Sequence, residues 1–274
     1  MLNNYILPDN NVQISFSGGR TSAYMLYKIL EANDGLPNRV KVIFTNTGRE
    51  MEQTLDFVQE CSHRWKVDIV WLEYDIVDGE VTYKTVNHNS ASRNGEPFEK
   101  LIFKYKRLPN ALQRYCTGKL KIQTANKYLN DLKWKKWSNA LGIRYDERHR
   151  AKKDFRDGFY PIYPLVENED NLFDVDKFWN TQNFKLNLPV IRGKTIMGNC
   201  DGCFLKSESQ LAMLFREYPE KAKWWINMER LTNKQFNRDR NLKDFNEFIT
   251  RQQDWVWRNE QNFFCQHNEG ECSG

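Results

Sequence analysis

The chain has 274 residues, with 41 Lys+Arg against 36 Asp+Glu, 40% hydrophobic residues and a mean hydropathy of −0.78. That length builds a full core without disulfide staples, and 14% aromatic residues, including nine tryptophans, exclude disorder as the main state. No stretch approaches the roughly 18 apolar residues of a membrane span, and MLNNYILPDNNVQISF lacks the pattern of a secretory leader, so a cytoplasmic protein with no membrane contact is expected.

In chain order, Val12-Gln-Ile-Ser-Phe16 alternates as a strand and is followed by Ser17-Gly-Gly-Arg-Thr-Ser22 and a helical run over Ala23–Leu30. Arg39–Thr45 reads as a second strand, Glu50–Trp65 as a helix with Leu55, Val58, Cys61 and Trp65 on its apolar side, and Asp68–Tyr74 as a third strand. The order β-α-β-α-β argues for a parallel sheet flanked by helices. Residues 79–115 are rich in Asn, Ser, Arg and Gly and read as a long functional loop or lid. Thr117–Leu132 reads as a basic helix, Trp137–Arg144 as a fourth strand, 157–199 has no strong period, and 207–260 is polar and helical with Trp224, Trp225, Trp255 and Trp257. The expected organisation is one α/β domain over 1–200 and a helical C-terminal lobe over 201–274 that closes a cysteine site.

Charge is uneven. Lys100–Arg156 holds 17 Lys/Arg and 4 Asp/Glu, while the remainder holds 24 and 32. Such an island is either a solvated helix face or a phosphate-binding surface. Trp134 and Trp137 among Lys133, Lys135 and Lys136, and Tyr105 and Tyr115 flanking other cations, suit unpaired bases, so tRNA or DNA is an expected partner of residues 100–156.

Four segments carry chemistry. The turn Ser17–Ser22 joins a strand to a helix, where backbone N–H groups attract anions; Gly18 and Gly19 permit close approach, Ser17, Thr21 and Ser22 add hydroxyls, and Arg20 adds charge. A side chain at Gly18 or Gly19 is expected to block the phosphate path and leave the fold intact. Thr45, Asn46 and Thr47 stand at the end of the second strand, where ligands of parallel sheets bind, and Glu50 can orient substrate or metal; Thr47 and Glu50 also fit a helix-capping box. In Leu141–Arg148, Arg144 and Arg148 can grip phosphate or sulfate, with Asp146 and Glu147 holding the arginines or a metal, unless the group is a surface ion-pair cluster. Cys116, the pair Cys200-Asp-Gly-Cys203, Cys265 and Cys272 lie in separated segments, an arrangement that holds an iron–sulfur cluster or a structural zinc, whereas Cys61 fits a helix core.

SGGRTS resembles the PP-loop S-G-G-x-D-S of the adenine-nucleotide α-hydrolase-like superfamily, with Thr21 in the place of the usual Asp. Together with TNTGRE (45–50), ASRNGEPF (91–98), LPN (108–110), RYCTGKLK (114–121), LGIRYDER (141–148) and NCDGCFLK (199–206), it resembles the phosphoadenosine phosphosulfate (PAPS) reductase-like family over about residues 10–230, nearest a subgroup of phage and prophage genomes. The resemblance implies a Rossmann-like PP-loop domain that binds ATP or PAPS, with Mg²⁺ as a candidate companion. It implies Ser17–Ser22, Thr45, Asn46, Thr47 and Gly142 as nucleotide-binding residues and Glu50, Arg144, Asp146 and Arg148 as catalytic ones. It favours a [4Fe-4S] cluster over zinc, on Cys116, Cys200, Cys203 and Cys272, with Cys265 as substitute and His267 as a remote third choice. The activity it implies is adenylylation of an acceptor, nucleic acid among the candidates, followed by sulfur transfer. Two alternatives stay open: a sulfonucleotide reductase using Cys272 and a thioredoxin-like reductant, and a binding or regulatory protein without turnover.

Overall fold

The computed structural model describes residues 4–152, 154–155, 158–191, 194–237 and 241–251. Six strands form one sheet: β1 (Val12–Ser15), β2 (Val40–Asn46), β3 (Ile69–Val77), β4 (Glu80–Val86), β5 (Trp137–Ala140) and β6 (Phe159–Ile162), in the order β4-β3-β2-β1-β5-β6. All neighbours are parallel except β3 and β4. The strand order reverses direction between β1 and β5, and that crevice, beyond the carboxyl ends of the strands, is where such sheets bind ligands.

Helices cover both faces. On one, Val12, Ile14 and Phe16 pack into the core formed with α1 (Arg20–Ala32) and α2 (Glu52–Trp65), and Cys61 is fully buried there. On the other, Ile43, Leu72, Trp137 and Phe159 pack against Ala125 and Leu129 of the helix over Thr124–Asp131. Trp137 is 1% exposed and donates its indole N–H to Gln13 (3.0 Å), so it is unavailable to a nucleic-acid base, against the sequence reading. The Lys133–Lys136 turn precedes β5, at the end of the sheet opposite the ligand crevice.

Residues 79–115 are not one loop. β4 pairs antiparallel with β3 along its whole length, and α3 (Glu96–Tyr105) buries Phe98, Leu101 and Ile102. Gly95, in the left-handed region at φ 92°, and Pro97 start that helix. The polar composition of 87–95 masked both elements. The basic helix exists, but its first part, Thr117–Gln123, is π-helical and runs into α4 (Thr124–Asp131). β5 ends at Ala140, four residues short of the expected strand. After β6 come the short α5 (Pro164–Glu167), α6 (Leu172–Thr181) and a small hairpin, β7 (Val190–Ile191) with β8 (Lys194–Thr195).

The C-terminal region is helical through α7 (Glu208–Glu217), α8 (Pro219–Thr232) and α9 (Leu242–Arg251). Leu214, Phe215, Trp225 and Phe245 join the hydrophobic cluster that contains the first face of the sheet. No helix among the described residues is long and apolar enough to cross a membrane.

One buried carboxylate ties α8 to α9. Glu229 accepts the backbone N–H of Phe236 (3.0 Å) and of Leu242 (2.7 Å), the first residue of α9. Replacing it with alanine strands two buried donors. Glu229→Ala is expected to cost about 3 kcal/mol in urea unfolding, with Glu229→Gln recovering about half.

Candidate functional site: a nucleotide cleft beside a cysteine pocket

The turn after β1 is built from within. Gly18 has φ 76°, and a Cβ there would stand 2.7 Å from Thr54 and 3.1 Å from Val58, both on α2. Its role is therefore close packing of the turn on α2. Gly19, extended at φ −97°, is the N-cap of α1 and brings no side-chain cap, so the first amides of α1 keep their anion-attracting polarity. Ser22 Oγ donates to Gly19 O (3.0 Å), lies 3.0 Å from Ser17 Oγ and accepts from Ser17 N (3.2 Å). Arg20 turns away: its guanidinium pairs with Asp176 of α6 at 2.7 Å.

A cleft opens beside this turn under α4. Its floor is polar: Gln13 donates to Ser15 (3.2 Å), and Ser15 donates to Asn139 (2.8 Å). Ser17, Ser22, Thr45 and Gly142 line it, and Lys121, Asn126 and Arg150 bring further polar groups to it. Gly142 is needed small, because a Cβ would meet Ser22 Cα at 3.3 Å. Ser15, Asn139, Lys121 and Arg150 were not singled out in the sequence. The signal was the alternation of Gln13 and Ser15 on a strand whose other side chains are apolar; a parallel strand covered on both faces is ordinarily apolar throughout.

Arg144 is 1% exposed and forms a brace. It donates two bonds to Asp146 (3.0 Å each) and one to Thr21 Oγ1 (3.2 Å), fastening 141–148 to the first turn of α1. Asp146 also accepts Leu172 N at the start of α6 (3.2 Å). Burial opposes its ionisation, yet the Arg144 bonds outweigh burial and hold the carboxyl below its ordinary range. Glu147 is buried and binds Arg150 at 2.6 Å. Arg148 is exposed and stacks on Tyr145, 4.5 Å from the ring centre.

At the end of β2, Asn46 is fully buried and spoken for: it donates to Glu73 (2.6 Å) and Ser92 O (2.8 Å) and accepts from Gly48 N (3.0 Å). Thr47 and Glu50 form no capping box, since α2 starts at Glu52 after an N-cap at Met51 without a side-chain bond. Thr47 instead bonds Glu50 Oε1 (3.1 Å) and lies 3.2 Å from Cys200 Sγ. Glu50 Oε1 is 3.9 Å from that sulfur, and its Oε2 is buried without a hydrogen-bond partner among the described residues.

The two motifs are clamped by a pair that sequence reading missed. Arg49, 4% exposed, donates Nε (3.1 Å) and Nη2 (2.6 Å) to Asp201, which is 0% exposed and sits inside the C-x-x-C loop. Asp201 N returns a bond to Arg49 O (2.8 Å), and Trp225 of α8 donates its indole N–H to the same carboxylate (2.6 Å). The guanidinium lies 4.8 Å from the Trp224 ring centre. Lys206 closes the loop by donating to Gly198 O (2.5 Å) and Cys200 O (2.8 Å).

This clamp sets Cys200 and Cys203 opposite Cys116, which heads the π-helical segment. The three side chains line one pocket with Thr47, Phe98, Leu120 and Trp225, and Arg114 stands at it. Lys121 lines both this pocket and the cleft. Cys265, Cys272 and His267 lie outside the described residues.

Two stability predictions follow from this geometry. Arg49→Met and Asp201→Asn each leave one buried partner uncompensated and are expected to cost about 3–5 kcal/mol in urea unfolding. The double variant should cost far less than their sum, because both remove one interaction. Gly18→Val should destabilise the fold, contrary to the sequence expectation, because its side chain drives into α2. Gly19→Val, in backbone space open to valine, should keep the melting temperature within about 2 °C while altering nucleotide affinity.

Comparison with known proteins adds an independent view. A solved phosphoadenylyl-sulfate (PAPS) reductase from Candida auris, in a phosphate complex, superposes with a TM-score of 0.43 at 16% identity, covering 66% of this chain and 76% of that one. The U34-tRNA thiolase NcsA from Methanococcus maripaludis, with its [4Fe-4S] cluster, gives 0.40 at 16% identity, covering 82% and 74%. An uncharacterized nin region protein, ORF290, of Escherichia phage lambda is 28% identical over 211 residues, 74% of this chain and 69% of that one. The phosphoadenosine phosphosulfate reductase domain matches residues 11–184, through β1–β6, the glycine turn and the arginine brace, and the chain belongs to that family.

Proposed function

We propose that the protein binds ATP in the cleft, adenylylates an acceptor oxygen and exchanges that oxygen for sulfur at the cysteine pocket. The observation that carries this reading is the placement of Lys121 in the wall of both cavities. The π-helical segment that carries Lys121 then borders the nucleotide cleft on one side and the thiol site on the other. The phosphates would lie against the N-terminus of α1, Ser17 and Ser22, with Mg²⁺ as companion, and the adenosine toward Thr45 and Gly142. The acceptor oxygen attacks the α-phosphorus and pyrophosphate leaves; a sulfur nucleophile then displaces AMP from the activated carbon. Lys121 and Arg150 offset the charge that builds on the phosphates. Arg144 and Asp146 act as positioning residues that fix the turn at Thr21, and Arg148 offers an exposed guanidinium beside Tyr145.

Three cysteines sharing a pocket with Phe98, Leu120 and Trp225 make a soft donor set in sheltered surroundings, which fits an iron–sulfur cluster. Cys116, Cys200 and Cys203 would hold it, with Cys272, or Cys265 in its place, as the expected fourth ligand. Such a group, when bound, supplies thiophilic iron that can carry sulfur. Thr47 and Glu50 set the environment of Cys200, and Arg49 with Asp201 keeps the loop in register.

The test combines metal analysis with product identification. Anaerobic protein is expected to be brown with about four irons per chain. With α-labelled ATP and bulk tRNA or single-stranded DNA it should release AMP and pyrophosphate. Lys121→Gln should lower that rate at least tenfold while retaining iron. Colourless protein with one zinc overturns the cluster. Sulfite from PAPS, with no AMP from ATP, overturns adenylylation in favour of reduction.

A further inference from the structure

Among the described residues, several buried or half-buried cations have a carboxylate at hand: Arg20 with Asp176, Arg49 with Asp201, Lys84 with Glu73 at 2.9 Å, Arg144 with Asp146 and Arg150 with Glu147. On the surface the balance is different, and one stretch is cationic throughout. Residues 100–130 hold eight Lys/Arg and no Asp or Glu. After Lys100, which pairs with Asp75, five cations lie between the end of α3 and the first turn of the π-helical segment: Lys104, Lys106, Arg107, Arg114 and Lys119. None of the five pairs with a carboxylate among the described residues.

The segment has a defined shape. Asn110 Oδ1 accepts the backbone N–H of Leu112 (3.0 Å) and Gln113 (2.9 Å), which folds the tip into a tight turn, and Leu112 is 92% exposed on it. Tyr115 donates its hydroxyl to Arg107 O, and its ring lies 5.6 Å from that of Tyr105. Arg107 covers Tyr115 at 4.8 Å, and Lys119 covers Tyr105 at 5.6 Å. The rings thus hold Arg107 and Lys119 in place, and burial raises the Tyr115 pKa, keeping its hydroxyl protonated and its bond intact. Arg114 and Cys116, at the end of this segment, line the cysteine pocket.

We infer that residues 104–119 form a docking surface for a single-stranded polynucleotide, which leads the acceptor base toward Cys116. The inference deepens the functional reading above and rests on it in taking the acceptor to be a nucleic acid. Uncompensated cations along one segment suit phosphates spaced along a chain, and a guanidinium held 4.8 Å from a tyrosine ring centre offers a group on which an unpaired base stacks. A duplex would present paired bases and no such face. The surface narrows the nucleic-acid contact expected over residues 100–156 to the part beside the cysteine pocket and leaves out the Lys133–Lys136 turn at the far end of the sheet.

The test is fluorescence anisotropy with labelled single-stranded RNA and DNA of about twelve nucleotides across a salt series. Wild-type protein is expected to bind on the order of micromolar at low salt. The triple variant Lys104→Gln, Lys106→Gln, Lys119→Gln should weaken binding at least tenfold and reduce the salt slope by about two. The control triple Lys133→Gln, Lys135→Gln, Lys136→Gln should change neither. Equal loss in both triples, no loss in the first, or equal binding of polyglutamate overturns the surface. Calorimetry with ATP on the same preparations separates the two readings. Retained ATP binding with no polynucleotide binding removes this surface alone, and polynucleotide binding without ATP binding removes the nucleotide reading while the surface stands.

Discussion

The buried pair Arg49–Asp201 is the contact on which the arrangement of the site depends. It joins residues 152 positions apart, the turn after β2 and the C-x-x-C loop, through two short bonds with both partners almost inaccessible to water. Taking two charges out of water is expensive, and such a pair adds little net stability compared with apolar residues of the same volume. Its effect is geometric. The bidentate fork fixes distance and angle at once, Trp225 and Trp224 exclude water from it, and Lys221 lies 3.5 Å from the carboxylate. The helices that follow the cysteine loop are thereby indexed to the end of β2.

A second consequence concerns space around the clamp. A Cβ on Gly202 would stand 2.3 Å from Trp225, and one on Gly95 would stand 2.7 Å from Trp224 and from Arg49. Both glycines are small because an indole occupies the volume beside them. The segment 91–98 and the cysteine loop therefore meet on the same two tryptophans. Pieces of chain that look unrelated in the sequence share one packing constraint.

Legibility in the sequence followed the range of the interaction. β1, α1, β2, α2 and β3 declare themselves by local periodicity, and the glycine turn by its place between strand and helix. β4 and α3 were hidden because seven polar residues among the nine between them dominate the composition of the region. Thr47 and Glu50 carry the spacing of a capping box, yet their side chains face Cys200; spacing alone does not say where a helix starts. Trp137 among lysines looked like a base-stacking ring, but its strand is central to the sheet and buries it. Arg49–Asp201 left no local trace at all, since neither residue is unusual in its own segment. The gathering of Cys116, Cys200 and Cys203 was anticipated from residue chemistry, whereas the shared wall at Lys121 depends on how a helix is wound.

That winding has a genetic side. A π-helical run is a helix with surplus chain: its turns hold more residues than the 3.6 of the α form. Thr117–Gln123 places Cys116 before it and continues directly into α4. Loss of a single codon there would let the segment relax to α-helical pairing, turning everything upstream by about 100° about the helix axis relative to α4. Cys116 and Lys121 could no longer face their present cavities together, although no side chain would have been replaced. Within this stretch the count of residues is as constrained as their identity, so a relative that lacks one residue here would be expected to have rebuilt the passage between its two cavities.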